Sequence, residues 1–141
     1  MLGRPLCGPF AAPPASATLT PRNLIAVALG GALGSVLRWS LSLGLRRAEF
    51  PLLTASMATL AANILASALL GYLMARPHPE ARLQLALATG LCGGFSTLST
   101  FSWEALQWAK SGAWAMALGY VLATVLLSVA AAAAAFALAH K

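Results

Sequence analysis

The stretch that decides the fold is GLCGGFSTLSTFSWEAL, residues Gly90–Leu106. Its two adjacent glycines, Gly93 and Gly94, each cost a helix about 1 kcal/mol relative to alanine, so they favour unwinding. Four hydroxyl side chains then follow within five positions: Ser96, Thr97, Ser99 and Thr100. Backbone freed by unwinding cannot face lipid. The stretch therefore predicts a helix broken at the glycine pair, with the break buried in protein or lining a water-filled cavity. A simple glycine kink is the alternative.

The composition places this stretch in a membrane protein. Of the 141 residues, 60% are hydrophobic and 9% are charged, whereas soluble domains carry about 25% charged residues. Nine basic residues against three acidic ones give a net charge of +6. Most basic residues flank apolar runs, where they anchor helix ends. No basic run is interleaved with aromatic residues, which argues against nucleic-acid binding.

Four apolar runs are each long enough to span a bilayer, which takes about 20 residues. They cover residues 24–45, 52–75, 83–109 and 113–139. The connections are short, so consecutive helices should be antiparallel neighbours. The sequence predicts an all-α integral membrane protein with four transmembrane helices and a break in the third. The proline-containing segment 1–22 reads as a disordered tail, and 23–141 as the transmembrane domain.

The few basic residues are distributed almost evenly between the two sides of this topology. Five lie on the side of both termini and three on the other. The positive-inside rule thus gives little preference. Insertion in both orientations, as an antiparallel dimer requires, is compatible with this pattern.

Polar residues form stripes on two of the predicted helices. In each stripe the spacing is four residues, which places the side chains on one helical face. The second-run stripe comprises Thr59, Asn63 and Ser67. The fourth-run stripe comprises Tyr120, Thr124 and Ser128. Such stripes either join helices through hydrogen bonds or line a polar path.

Two charged residues lie within the runs. Arg38 is an intramembrane charge and so a functional candidate by default, or else it extends toward the headgroups. Glu104 is expected near the membrane interface because Lys110 lies six residues on. A proton-carrying role for Glu104 would instead indicate a transporter. No histidine, cysteine or carboxylate set has the spacing of a metal or nucleophile site, so an enzyme is not indicated.

Three stretches in order resemble the Fluc/CrcB family of fluoride channels. They are GGALGSVLRW (residues 30–39), ATLAANILASALLGYL (residues 58–73) and GLCGGFSTLSTFSWE (residues 90–104). The resemblance covers about residues 22 to 139. It implies a fluoride-selective passive channel in the inner (plasma) membrane that exports cytoplasmic fluoride, and an antiparallel dual-topology dimer.

The resemblance also implies roles for individual residues. Backbone carbonyls of Gly93 and Ser96 from both subunits would hold a central structural Na⁺. Arg38 would lie at the vestibule. The fluoride pore would be lined by Thr59, Asn63, Thr100, Phe101, Tyr120, Thr124 and Ser128.

One position departs from the family pattern. The family has two phenylalanines in the broken helix; Phe101 matches the second, and Leu98 stands in place of the first. Leucine has no positive ring edge to offer an anion. A homodimer is expected, and the missing ring makes a heterodimer with a second family member the alternative.

Two hypotheses compete with a channel. The first is a four-helix proton-coupled small-molecule exporter, which would need a carboxylate deep in a helix, commonly the first. The first run has none. The second is a non-transporting membrane subunit, in which the polar stripes only join helices.

Overall fold

The computed structural model describes residues 19–46 and 51–140, and over these ranges the chain is helical and contains no strand. The first two long helices are α1 (Pro21–Arg46) and α2 (Pro51–Ala75), and the last is α5 (Trp114–Ala139). Most of the predicted tail, residues 1–18, lies outside the described ranges. Helix α1 begins at Pro21, where Thr20 Oγ1 accepts the Asn23 N–H at 3.3 Å as a cap.

The third apolar run is divided into two helical parts. The first part, called α3 here, joins an α-helical turn (Ala81–Gln84), a π-helix (Leu85–Cys92) and a short α-helical end (Gly93–Phe95). Ser96 and Thr97 are extended, with ψ angles of 158° and 116°. Helix α4 (Leu98–Lys110) follows. The predicted break is confirmed, but its predicted place was wrong, because both glycines are helical and the extended residues lie beyond them.

Three of the described helices are long and apolar enough to cross a membrane by length and composition. These segments are Pro21–Leu45, Ala55–Ala75 and Trp114–Ala139. The third run does not satisfy the same criterion as a single helix, since Ser96 and Thr97 interrupt it. The architecture is therefore three long helices and one broken helical segment.

Close contacts, mostly between backbones, fix the relative directions of the helices. Helix α1 packs on α3, and α2 packs on α5. Gly30 lies against Ala86 and Gly34 against Leu91, so α1 and α3 run parallel. Gly71 of α2 lies against Ala132 of α5. Directly after α2, Arg76 Nε donates at 2.8 Å to the carbonyl of Ala139, the last residue of α5, so these two helices are also parallel. Alternate spans are parallel, as expected when consecutive spans are antiparallel.

The side chains are sorted by size between inside and outside. The buried apolar positions are mostly small, such as Ala58, Ala62 and Ala66, and no large side chain among the described residues is fully buried. Large side chains lie outside, with Leu29 67% and Leu126 64% exposed. Lipid-exposed helices associate through small residues that allow close backbone approach, so this distribution is typical of membrane packing.

Glycines make the contact between α1 and α3 close. A Cβ on Gly30 would collide with the Ala86 carbonyl, and one on Gly94 would collide with the Gly31 carbonyl. A Cβ on Gly90 would lie 2.8 Å from the Val27 carbonyl oxygen. Gly94 is thus required for close packing while remaining helical, which is why the break does not fall there.

The turn between α4 and α5 is closed by a glycine in the left-handed region. Gly112 has φ of +81°. The Ala113 N–H donates to the Trp108 carbonyl at 3.0 Å, and the Gly112 N–H donates to the Ala109 carbonyl at 3.1 Å. This is the Schellman arrangement, in which glycine is preferred because it carries no Cβ. The turn returns the chain so that α5 packs back against α4.

Candidate functional site

The helix break is held by the side chain of Asn63 from α2. The Thr97 N–H donates to Asn63 Oδ1 at 2.8 Å, and Asn63 Nδ2 donates to the Thr97 carbonyl at 3.3 Å. One amide side chain thus pairs with both backbone groups of an extended residue. These bonds replace the helical ones that the break removes, as burial of backbone polar groups requires.

Two carbonyls at the break lose their ordinary helical partners. In a continuous α-helix the N–H of residue i donates to the carbonyl of residue i−4. The Thr97 N–H would then donate to Gly93, but it donates to Asn63. The Thr100 N–H would donate to Ser96, but it donates to Thr97 Oγ1 at 3.3 Å. The carbonyls of Gly93 and Ser96 are therefore released from these two donors, and carbonyl oxygens are ligands for hard cations.

The Gly94 carbonyl, which lies between the two released ones, is occupied by Arg38. Arg38 Nε donates to it at 3.3 Å, and the Arg38 side chain is half-buried. The guanidinium of α1 therefore reaches the break itself. It places a positive charge directly beside the extended segment.

Hydroxyl groups cluster at the start of α4. Thr97 is the N-cap of this helix, and its hydroxyl donates to Thr100 Oγ1 at 3.1 Å. Its oxygen is also 3.3 Å from Ser99 Oγ. The N-terminal end of a helix carries partial positive charge. The break thus presents hydroxyl and amide donors at the positive end of a half-helix, next to the Arg38 cation.

A carboxylate that was not predicted to contact the polar stripes lies further along α4. Thr59 Oγ1 donates to Glu104 Oε1 at 3.0 Å, and the Tyr120 hydroxyl donates to Glu104 Oε2 at 2.6 Å. Glu104 thus joins the α2 stripe to the α5 stripe. An ionisable residue inside an apolar run is a functional candidate by default, and that signal was present in the sequence.

The remaining predicted pore residues extend along α5. Tyr120 is 8% exposed, and its ring lies 5.2 Å from that of Phe101, centre to centre. Thr124 is buried and donates to the Tyr120 carbonyl at 2.8 Å, within its own helix. Ser128 Oγ is buried and has no hydrogen-bond partner within the described part of the chain. The structure thus brings Phe101, Tyr120 and Glu104 together, and Ser128 lies two turns beyond Tyr120.

The contacts between α2 and α4 form one line, which we call the polar seam. It consists of the three pairs Asn63–Thr97, Thr59–Glu104 and Ser56–Trp108. The last pair, in which Trp108 Nε1 donates to Ser56 Oγ at 3.2 Å, was not predicted. Sequence numbers rise along α2 as they fall along α4, so the two helices are antiparallel.

No group of three or more histidine, cysteine, aspartate or glutamate residues able to hold a metal ion occurs in the described ranges. Carbonyl and hydroxyl oxygens are therefore the available ligand types at the break. They suit a hard cation rather than a soft one.

Comparison with known proteins supplies the family. The family described as CrcB-like protein, Camphor Resistance (CrcB), matches residues 25–136. The chain belongs to the CrcB family. This match confirms the family expected from the three sequence stretches, and it includes the whole polar seam.

Individual relatives of this CrcB chain carry a consistent name. A protein of Bordetella petrii named "Fluoride-specific ion channel FluC" is 40% identical over 123 residues, which cover 87% of this chain and 95% of the relative. A protein of the same name from Phocaeicola vulgatus is 40% identical over 114 residues, covering 77% and 90%. One from Escherichia coli O1:K1 / APEC is 39% identical over 109 residues, covering 74% and 84%. The family is one of membrane channels, not of enzymes.

Proposed function

We propose that this chain is a fluoride-selective passive channel that exports cytoplasmic fluoride across the inner (plasma) membrane and so relieves fluoride toxicity. The observation that carries the proposal is the convergence of Asn63, Thr97 and Thr100 on a helix break beside Arg38. The relatives' names give the anion. Export follows from the negative-inside membrane potential, which is worth about 2.3 kcal/mol per charge per 100 mV.

Neutral donors suit the permeation of a strongly hydrated anion. Fluoride must exchange its water for protein donors, and binding must remain weak enough for the ion to leave. The amide nitrogen of Asn63 carries two N–H groups, and the Thr97 carbonyl accepts a bond from it. The second N–H can face a passing ion. The pore proposed here is lined by Thr59, Asn63, Thr100, Phe101, Tyr120, Thr124 and Ser128, with Arg38 at its vestibule.

Glu104 occupies two of the hydroxyl donors on this pathway. The single hydroxyl protons of Thr59 and Tyr120 are both directed to its carboxyl group. A fluoride ion at this level must therefore compete with Glu104 for the same donors. The buried Ser128 hydroxyl lies two turns from Tyr120 along α5 and has no hydrogen-bond partner among the described residues. No described protein group therefore competes with fluoride for it. Movement of the Glu104 side chain would open this part of the pathway.

A structural Na⁺ fits the carbonyls of Gly93 and Ser96. Both are released from their helical donors by the bonds of Thr97 and Thr100. Two oxygens are too few for a hard cation, since Ca²⁺, for example, takes roughly six to eight. A second copy related by a twofold axis would bring the number of carbonyl oxygens to four, and water molecules would complete the coordination. The cation would tie the two breaks together electrostatically.

An antiparallel dual-topology homodimer is the proposed assembly. Leu98, directly after the break, is 75% exposed in the single chain, and a Cβ on the exposed Gly93 would meet no atom within 4 Å. A partner subunit packed here would cover both positions. Because Leu98 replaces the phenylalanine expected at this position, a heterodimer with a second family member that supplies this ring is the alternative.

Fluoride efflux tests the proposal. Proteoliposomes containing only this chain are loaded with fluoride, and release is followed with a fluoride electrode, with chloride-loaded vesicles as the selectivity control. We expect fluoride release without a proton gradient, which a proton-coupled exporter would not give. Asn63→Asp should abolish it, whereas the same substitution at Asn23, near the start of α1, should not. Absence of release from folded wild-type protein, also after Leu98→Phe, would contradict a self-sufficient channel.

Sodium dependence tests the cation separately. Ligands that bind the folded state raise its stability in proportion to the logarithm of their concentration. The melting temperature of the purified protein should be higher in NaCl than in N-methylglucamine chloride at equal ionic strength. Equal melting temperatures in the two salts would contradict a sodium site.

A further inference from the structure

A cavity outside the polar seam lies where the start of α1 meets the loop that leads into α3. Its volume is about 490 Å³. The lining includes two arginines, Arg22 and Arg82, together with Thr20, Asn23 and Glu80. Arg22 is in the first turn of a helix that is long and apolar enough to cross a membrane, which puts the cavity at one end of the apolar span, where a membrane surface would lie.

The positive charge of the cavity comes from the two guanidinium groups. Both arginines are exposed, and no ion pair joins either of them to Glu80 within residues 19–46 and 51–140. The first amides of α1 are already occupied, since Thr20 accepts the N–H groups of Asn23 and Leu24. The guanidinium group binds phosphate through two parallel N–H bonds, which makes arginine a preferred residue for this anion.

The surroundings of the cavity distinguish between possible phosphate compounds. Leu24 and Ile25, which follow Arg22 and Asn23 on α1, are 53% and 58% exposed. Leu83, next to Arg82, is 37% exposed. Apolar side chains thus adjoin both arginines, where acyl chains would lie. Glu80 offsets one of the two guanidinium charges of the lining, so the remaining single positive charge is balanced by one singly charged phosphate diester.

We propose that this cavity binds the phosphate diester of an anionic phospholipid headgroup, held between Arg22 and Arg82 while the acyl chains follow the exposed apolar faces of α1 and α3. The site is separate from the polar seam. The proposal that it binds lipid therefore does not depend on which ion the channel conducts.

Binding of short-chain lipids to the full-length protein in neutral detergent tests the proposal. Dihexanoyl-phosphatidylglycerol, dihexanoyl-phosphatidylcholine and inorganic phosphate are titrated separately by calorimetry. A basic residue near an anionic headgroup is worth about fivefold in affinity, so Arg22→Gln and Arg82→Gln should each weaken phosphatidylglycerol binding about fivefold and the double variant about 25-fold. Lys110→Gln, which removes an exposed basic residue at the far end of α4, should change the affinity by less than about twofold.

Melting temperatures establish that each variant is folded. The double variant Arg22→Lys/Arg82→Lys keeps both charges and should retain more affinity for phosphatidylglycerol than the double glutamine variant.

Three outcomes would overturn the proposal. The double glutamine variant could bind phosphatidylglycerol as tightly as the wild type does. Phosphatidylcholine could bind as tightly as phosphatidylglycerol. Inorganic phosphate alone could bind with equal affinity at the same arginines, which would make the cavity a free-phosphate site.

Discussion

Removal of the Tyr120 hydroxyl isolates the hydrogen bond between α5 and α4. Tyr120→Phe keeps the ring that lies 5.2 Å from Phe101 and deletes the group that donates to Glu104 at 2.6 Å. The same change deprives Glu104 Oε2 of this donor. The variant therefore measures one bond of the site with little disturbance of packing.

The expected loss in the free energy of unfolding depends on the surroundings of this hydrogen bond. Hydrogen bonds to charged groups contribute about 1.5–3 kcal/mol in soluble proteins, whereas side-chain bonds between membrane helices average about 0.6 kcal/mol and reach about 1.7 kcal/mol. The bond is short and its acceptor is a carboxyl group, which favours the upper end of the membrane range. Glu104 is half-buried, so water can replace part of the loss. We expect Tyr120→Phe to lower the free energy of unfolding by about 1.5 kcal/mol, a factor of about ten in the equilibrium constant.

Reversible unfolding in mixed micelles, followed by circular dichroism, measures this change. Tyr72→Phe is the matched control, because Tyr72 is 47% exposed and makes no hydrogen bond through its side chain within the described ranges. In a Glu104→Ala background, Tyr120→Phe should cost much less than in the wild type. If Tyr120→Phe is no more destabilising than Tyr72→Phe, or costs the same with and without Glu104, the bond does not stabilise the packing of α5 on α4.

Three further substitutions test the packing and the break. Gly30→Ala places a Cβ against the backbone of α3 and should lower the melting temperature, whereas Gly119→Ala, with no atom within 4 Å of the new Cβ, should leave it unchanged or raise it. Trp108→Phe removes one bond of the polar seam and should cost about 0.6 kcal/mol in chemical unfolding, more than Trp114→Phe at a 70% exposed position. Thr97→Val removes the cap of α4 and should cost about 1 kcal/mol, with Thr97→Ser near wild type; equal losses in these two variants would contradict the capping role.

The helical class and the parallel arrangement of alternate helices could be predicted because they depend on bulk apolarity and loop length, whereas only three of the four predicted spans are single helices long and apolar enough to cross a membrane. Four apolar runs and short connections leave alternate spans parallel, as the α1–α3 and α2–α5 contacts confirm. The break was also predictable, but its position was not. Adjacent glycines permit either unwinding or close packing, and Gly94 is used for packing. Only the tertiary bonds of Asn63 show that Ser96 and Thr97 are the extended residues.

Only part of the candidate site could be predicted, because the sequence pattern of one helix does not reveal its tertiary contacts. Periodicity placed Thr59 and Asn63 on one face of α2, and Tyr120 and Thr124 on one face of α5, but periodicity within a helix does not show which other helix that face meets. Glu104 was therefore separated from the stripes that it joins. The π-helical geometry of residues 85–92 carries no sequence signal of its own, because a π-helix uses the same apolar residues with a different hydrogen-bond register.

The pairing of alternate spans delays assembly during synthesis. Arg38 and its partner Gly94 are separated by 56 residues, which take roughly 3–11 s to synthesise at about 5–20 residues per second. Throughout that interval the glycine face of α1 lacks the helix against which it finally packs. The first helical hairpin therefore enters the bilayer before the contacts that would hold it in one orientation exist. This delay leaves the orientation of the hairpin unfixed while it inserts, as the proposed dual topology requires.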